Sequence, residues 1–283
     1  MTDSAGIDCF CLTIEVSERS SERVMLALID LGHTAFEERS RAQGVALLVY
    51  AAERTELESL RARLEQRVSG LGFELAAVDP SWAVAWTEHL DPVQLTPALR
   101  VVPSAVPAEG RLPGTLHLEP AFAFGFGEHA STRLAASWLE QRCTARPGAS
   151  VLDVGTGTGI LALVAASSGA GRVLGVDTSQ PALAAARHNA LQNGLATRCT
   201  FVDASLAEIT DTFDLVVANI EAGVLHRLAP LIAPRLSWGA ELALAGFIAE
   251  QVAGVIERFA ACGITLELSA AENDWQLCSG QRT

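Results

Sequence analysis

Three glycines alternate with threonines in Gly155-Thr-Gly157-Thr-Gly159, directly after the apolar run Val151-Leu-Asp-Val154 and directly before the apolar stretch from Ile160 to Ala166. Glycine lacks a Cβ and enters positive φ freely, so this spacing predicts a sharp turn between a strand and a helix. The helix that follows offers its first amides to a ligand, and a nucleotide-like group can press closely against the bare backbone of the turn. The next strand candidate, Arg172 to Val176, is followed by Asp177, 22 residues beyond Gly155. A carboxylate at that place can accept both hydroxyls of a ribose.

The same strand and helix alternation runs on for more than a hundred residues. Strands are predicted at Val151 to Val154, Arg172 to Val176, Cys199 to Val202, Leu215 to Ala218 and Glu241 to Ala245, with helical spacing over Pro181 to Gln192, Val224 to Leu236 and Ala249 to Ala261. Such alternation predicts an α/β fold with a mostly parallel sheet covered on both faces. Two last runs, Thr265 to Ser269 and Trp275 to Ser279, lie either side of a short polar turn and predict a terminal antiparallel hairpin.

The first 75 residues read as a separate small α/β domain: strand at Cys9 to Val16, helix at Ser21 to Leu31, strand at Val45 to Ala51, helix at Thr55 to Val68. Asp79-Pro80 is an N-cap followed by a proline at the first helical position, so Pro80 to Leu90 is predicted as a connecting helix within a linker at 76–95. Residues 96–283 then form the larger domain. Its lead-in, Asp91 to Pro120, carries six prolines and two strand-like runs, Leu99 to Val102 and Thr115 to Leu118.

Composition removes several function classes. With 49% apolar and 19% charged residues in a chain of 283, a sizeable core is expected. The net charge is −13, and every one of the 20 basic residues is arginine. Nucleic-acid binding needs clustered positive charge, so no direct contact with nucleic acid is expected, whereas a basic protein partner suits the acidic surface. The six cysteines form no C-x-x-C pair and the six histidines no H-E-x-x-H, so no metal is expected. Acidic residues stand where a signal peptide would be basic. The uncharged stretch from Val154 to Gly171 holds five glycines and reads as the turn and helix above rather than a membrane span. A cytoplasmic protein with reduced thiols is the expectation.

The glycine spacing also selects a cofactor class. A dinucleotide fingerprint wants G-x-G-x-x-G, but the third position after Gly157 is Ile160, which disfavours a nicotinamide-dependent oxidoreductase. With Asp153 two residues ahead of Gly155, the run V-L-D-V-G-T-G-T-G resembles the first motif of class I methyltransferases, which use S-adenosylmethionine. From Trp82 onward, Trp86-Thr-Glu-His89, Arg100-Val-Val-Pro-Ser104, Phe124-Gly-Phe-Gly-Glu-His129, Ala218-Asn-Ile220, Gly246-Phe-Ile-Ala-Glu250 and Asp274-Trp275 together resemble the PrmA family, the bacterial methyltransferases of ribosomal protein L11. That resemblance implies a Rossmann-like catalytic domain behind a small substrate-recognition domain of ferredoxin-like layout. It implies a protein N-methyltransferase acting on lysine side-chain and/or α-amino nitrogens of a basic ribosomal protein. It also implies cofactor contacts from Thr132, Gly155, Asp177 and Asn219, to which the turn adds Gly157 and Gly159. Asp203, at the end of the third strand, reads as either an acceptor for the adenine amino group or a solvated loop acid. Phe126 and Glu128 replace threonines of the family pattern and Glu221 a leucine, which leaves another protein or a small amine open as the acceptor.

Methyl transfer from a sulfonium is an in-line displacement, so the protein must hold a neutral nucleophile against the methyl carbon. An amine with a reference pKa near about 10.4 has to lose a proton and be desolvated first. The side-chain oxygen of Asn219 is the candidate catalytic group, accepting an N–H of the acceptor amine and orienting its lone pair. Glu221 reads as either an ammonium contact or a helix-start carboxylate, and His129 as either a proton relay or a structural histidine. Asp153 is expected to support the turn through backbone N–H bonds rather than touch ligand, and Trp82 and Trp86 to pack between domains. A non-catalytic module that kept the pocket is the remaining alternative.

Overall fold

The computed structural model describes residues 9–31, 37–41, 44–51, 53–78, 92–103, 113–119 and 129–282. The chain divides into two compact units, residues 1–89 and 90–283.

In the first unit, β1 (Cys9–Val16), α1 (Glu18–Asp30), β2 (Glu37–Arg41), β3 (Gly44–Ala51), α2 (Arg54–Arg67) and β4 (Gly72–Val78) follow one another. The sheet order is β2-β3-β1-β4 with every pair antiparallel, which is the ferredoxin-like β-α-β-β-α-β arrangement. Leu12, Ile14 and Val16, two apart on β1, share a core with Val24 and Leu28 of α1 and with Leu57, Leu60 and Leu64 of α2. Two of its strands escape the sequence pattern. β2 is Glu-Glu-Arg-Ser-Arg, a charged edge strand with no apolar alternation to betray it. β4 carries the small unit's sheet to Val78, so residues 76–78 are strand and not the predicted linker. The connecting helix predicted at Pro80 to Leu90, with Trp82 and Trp86, lies outside the described residues.

The second unit opens with a three-stranded sheet, β5 (Val93–Gln94), β6 (Arg100–Pro103) and β7 (Thr115–Leu118), in the order β5-β6-β7. Val93 and Gln94, assigned by sequence to the linker, are therefore part of this unit. There follow α3 (Ala130–Ala145), β8 (Ser150–Val154), α4 (Ile160–Ser167), β9 (Arg172–Val176), α5 (Gln180–Gln192), β10 (Cys199–Val202) and β11 (Phe213–Asn219). The chain ends with α6 (Ala222–Ile232), β12 (Leu236–Ile248), α7 (Val252–Ala260), β13 (Ile264–Glu272) and β14 (Trp275–Arg282). The main sheet has the order β10-β9-β8-β11-β12-β14-β13. Its first five strands are parallel and β14 is antiparallel to both neighbours, as the alternation and the terminal hairpin predicted.

Both faces of this sheet are buried. On β11, Leu215 and Val217 join the core that contains residues of α3, α4 and α5, while Val216 and Ala218 join the core of α6 and α7. This explains why the strand reads as a continuous apolar run and not as alternation. Phe213, Phe247 and Phe259 are fully buried, each contributing about 1.5–3 kcal/mol of transfer free energy. The helix predicted to run to Leu236 stops at Ile232, because Pro230 and Pro234 supply no N–H and Leu236 already pairs with Phe213 as the start of β12. The carbonyl of His226, four residues before Pro230, takes its hydrogen bond from Arg258 Nε at 2.8 Å instead. Cys143 and Cys199 are free buried thiols, and burial pushes both up to about 12.

From β8 the chain adds β9 and β10 on one side, then returns to place β11 on the other. The crevice beyond the carboxyl ends of β8 and β11 is thus the topological switch point, where open parallel sheets bind ligands.

Candidate active site

The glycine turn occupies one side of that crevice. Gly155, Gly157 and Gly159 have φ of +74°, +54° and +81°, a region closed to most side chains. At Gly159 a Cβ would also stand 3.0 Å from Cβ of Ala186 on α5. The amides of the turn are largely consumed inside the protein. Gly155 and Thr156 donate to the Val176 carbonyl at 2.9 and 3.0 Å, Gly159 donates to the Thr156 carbonyl at 2.8 Å, and Gly157 donates to Asp177 Oδ2 at 2.9 Å. Ser179 N–H takes the other oxygen of Asp177 at 2.9 Å. An ionised carboxylate has about four acceptor sites, so two remain for a pair of hydroxyls. Asp203 accepts from Gln180 Nε2 at 2.6 Å on one oxygen and is otherwise exposed to the crevice side of β10.

Beneath the turn, Thr156 Oγ1 donates to Asp153 Oδ2 at 2.7 Å. Asp153 is buried, and that burial pushes its carboxyl up to about 7 against the lowering influence of the Thr156 hydroxyl and the Ala162 amide. Its bond to the turn comes from the Thr156 hydroxyl and not from the turn amides the sequence reading expects, because those amides are spent on Val176, Thr156 and Asp177. A second buttress was invisible in the sequence. Asn189, fully buried on α5, donates to the Thr158 carbonyl at 3.0 Å and accepts from Glu119 N at 2.8 Å. Asn193, one turn later, brackets the main chain of His117, accepting from its N at 2.9 Å and donating to its O at 2.7 Å. A helical i,i+4 pair of asparagines was the only available signal for this clamp.

On the far side of the crevice stands Asn219, the last residue of β11. Its Nδ2 donates to Thr132 Oγ1 at 3.1 Å across 87 residues of sequence. Thr132 lies in the first turn of α3, a helix the sequence reading had not placed there. With the amide nitrogen so engaged, Asn219 Oδ1 is left buried with no hydrogen-bond partner among the described residues. A buried, unsatisfied acceptor in an ordered side chain calls for an explanation. His129 occupies the N-cap position of α3 and meets the Trp275 ring edge-on at 5.5 Å. Arg133 Nε donates to Glu272 Oε1 at 2.9 Å, tying the same helix to the terminal hairpin. Glu221 takes the N-cap position of α6, which accords with the helix-start reading. Phe124 to Glu128 lie outside the described residues.

The geometry brings Thr132, Asn219, the three glycines and Asp177 to one switch point, with Asp203 at the end of the neighbouring β10. It fits an adenosyl group better than a dinucleotide. Four of the five turn residues from Gly155 to Gly159 already spend their amides internally, whereas a pyrophosphate needs them free. The polar groups on offer are acceptors for hydroxyls and an amine. No group of three or more His, Cys, Asp or Glu is arranged to hold a metal ion among the described residues. No helix among them is long and apolar enough to cross a membrane.

The family model for ribosomal protein L11 methyltransferase (PrmA) matches residues 5–283. A ribosomal protein L11 methyltransferase of Sorangium cellulosum is 34% identical, the match covering 96% of this chain and 89% of the relative. One from Pectobacterium carotovorum is 35% identical over 84% of this chain and 80% of its own. Among solved structures, a ribosomal protein L11 methylase from Lactobacillus delbrueckii subsp. bulgaricus aligns with a TM-score of 0.62 and 30% identity, covering 69% of this chain and 100% of that one. The chain is thus an S-adenosylmethionine-dependent protein methyltransferase, and it belongs to the ribosomal protein L11 methyltransferase (PrmA) family.

Proposed function

We propose that this enzyme methylates lysine side-chain and/or α-amino nitrogens of ribosomal protein L11 in the cytoplasm, with Asn219 as its catalytic residue. The observation that carries the reading is the unpartnered Asn219 Oδ1, fixed by the bond from Asn219 Nδ2 to Thr132. Bound in the crevice, S-adenosylmethionine supplies a methyl carbon made electrophilic by its sulfonium. Asn219 Oδ1 accepts an N–H of the neutral acceptor amine and turns the nitrogen lone pair toward that carbon. The orphaned oxygen gains its missing partner only when the amine arrives, so desolvation of the amine is offset at that atom.

On this reading Asp177 accepts the ribose hydroxyls, Asp203 the adenine amino group, and Gly155, Gly157 and Gly159 let the ligand lie against the backbone. Thr132 and Asn219 border the reacting end. The first unit, whose sheet runs to Val78, forms the substrate-recognition domain, and the net charge of −13 favours a basic protein over nucleic acid. Glu221, in place of the family's leucine beside Asn219, favours as a second reading a different amine-bearing acceptor drawn to that carboxylate.

The test is single-turnover transfer of a labelled methyl group to purified ribosomal protein L11 and to unmethylated ribosomes. Asn219→Ala is expected to lower the rate at least about a hundredfold, the scale on which lost positioning in a preorganised site is felt, with cofactor affinity within threefold. Unchanged turnover removes Asn219 from the mechanism. Label on another protein, with none on L11, selects the second reading.

A further inference from the structure

Immediately beyond Asn219, Ile220 is gripped from two sides by glycines, one in the turn after β8 and one in β12. Its amide donates to the Ala245 carbonyl at 3.1 Å, one step past the last parallel pair, Asn219 with Ala245. On one side, a Cβ built on Gly155 would stand 2.5 Å from Ile220 Cγ2. On the other, Gly246 has φ of +91°, and a Cβ there would stand 2.6 Å from Ile220 O and 2.8 Å from both its C and its N. Gly246 lies in a bulge of β12, where the register with β14 steps from Leu244–Cys278 to Phe247–Gln276, three residues against two. The two contacts differ in kind. The neighbour of Gly155 is the tip of a side chain, which can rotate. The neighbour of Gly246 is the peptide that continues from Asn219, which cannot retreat without carrying Asn219 with it.

We infer that Gly246 and Ile220 are positioning residues that set the place of Asn219 against the cofactor turn, the bulge at Gly246 seating the main chain of Ile220 while its side chain spaces the two sides of the crevice. This rests on the role of Asn219 proposed above. The glycine side of the wedge governs cofactor fit, and the bulge side governs the acceptor geometry. Shortening either gap by one methyl group therefore separates the two effects. Misplacement of a positioning group by a fraction of an ångström is felt in the rate long before it is felt in ground-state binding.

The experiment compares Gly246→Ala, Asn219→Ser and the double variant by single-turnover methylation of L11 and by calorimetric titration of S-adenosylmethionine. Gly246→Ala is expected to slow transfer at least tenfold, to leave cofactor affinity within threefold, and to add no further loss to Asn219→Ser, because both act through one group. A rate within threefold of the parent, equal losses of rate and affinity, or losses that multiply in the double variant would overturn the inference. Asn219→Ser as fast as the parent would sink the role of Asn219 itself, whereas a slow Asn219→Ser with multiplying losses sinks only the wedge. Should Gly246→Ala not fold, Gly155→Ala with and without Ile220→Ala decides. Tighter cofactor binding on adding Ile220→Ala supports the wedge, and no gain refutes it.

Discussion

The two sides of the crevice solve opposite problems with the same polar chemistry. On the β8 and β9 side, four turn amides donate to the Val176 and Thr156 carbonyls and to Asp177, and the Thr156 hydroxyl donates to Asp153, so the turn is braced from within. On the β11 and α3 side, one amide nitrogen is tied down so that one oxygen is left without a partner. The β8 and β9 side is nearly saturated with internal bonds, whereas on the β11 side the atom left over is the amide oxygen proposed above to meet the acceptor amine.

The largest effect that probes this contrast concerns the buried carboxyl under the turn. Asp153 is raised from 3.8 to about 7, so its contribution to stability is fully present below pH 3.8 and is lost as the pH rises through about 7. Asp153→Asn has no proton to lose. Its stability relative to the parent is expected to climb between pH 4 and 8 by up to about 4 kcal/mol, from roughly three units at 1.36 kcal/mol each. Denaturant unfolding across that range checks it, and a constant difference between the two proteins would mean the turn rests on an ionised group.

Asp177→Ala removes the acceptor of the Gly157 and Ser179 amides together with the two sites left for hydroxyls. Two charge-assisted bonds are worth about 3 kcal/mol or more, so calorimetry should show at least about a hundredfold weaker S-adenosylmethionine binding. Binding within fivefold of the parent would break the assignment of that side to the ribose.

Smallest is the change that touches only the far side. Thr132→Val deletes the acceptor that orients the Asn219 amide and is expected to slow methyl transfer about tenfold, near 1.4 kcal/mol, while Thr132→Ser retains the rate. A valine variant that loses cofactor affinity but not rate would move Thr132 to the other side of the comparison.

The saturated side was largely legible in the sequence, because Gly155, Gly157, Gly159 and Asp177 fall within one strand, turn, helix, strand unit whose local geometry their spacing dictates. Thr156 was legible only as a spacer between glycines, and its bond to Asp153 needs the side-chain directions that the folded turn supplies. The reactive side was legible only through a family resemblance. Asn189 by itself carries no local signal, because its two partners, Thr158 and Glu119, come from the glycine turn and from the residue after β7. α3 was missed because Ala130 to Ala145 mixes Ala, Ser, Thr and Arg without a clean apolar stripe. In the small unit, β2 was missed because an edge strand of charged residues has no pattern of two.

Sequence alone settled where the parallel strands and the glycine turn fall along the chain, though not their order in the sheet: short apolar runs, glycines where only glycine can turn, and an acid at the next strand's end. These are properties of neighbouring residues, and backbone sterics enforce them wherever the rest of the chain lies. Tertiary structure decided which end of the Asn219 amide is satisfied and which is left over. An asparagine carries a donor and an acceptor of nearly equal size on one rotatable bond. Only a threonine brought in from 87 residues away fixes the donor and leaves the acceptor buried with no partner among the described residues.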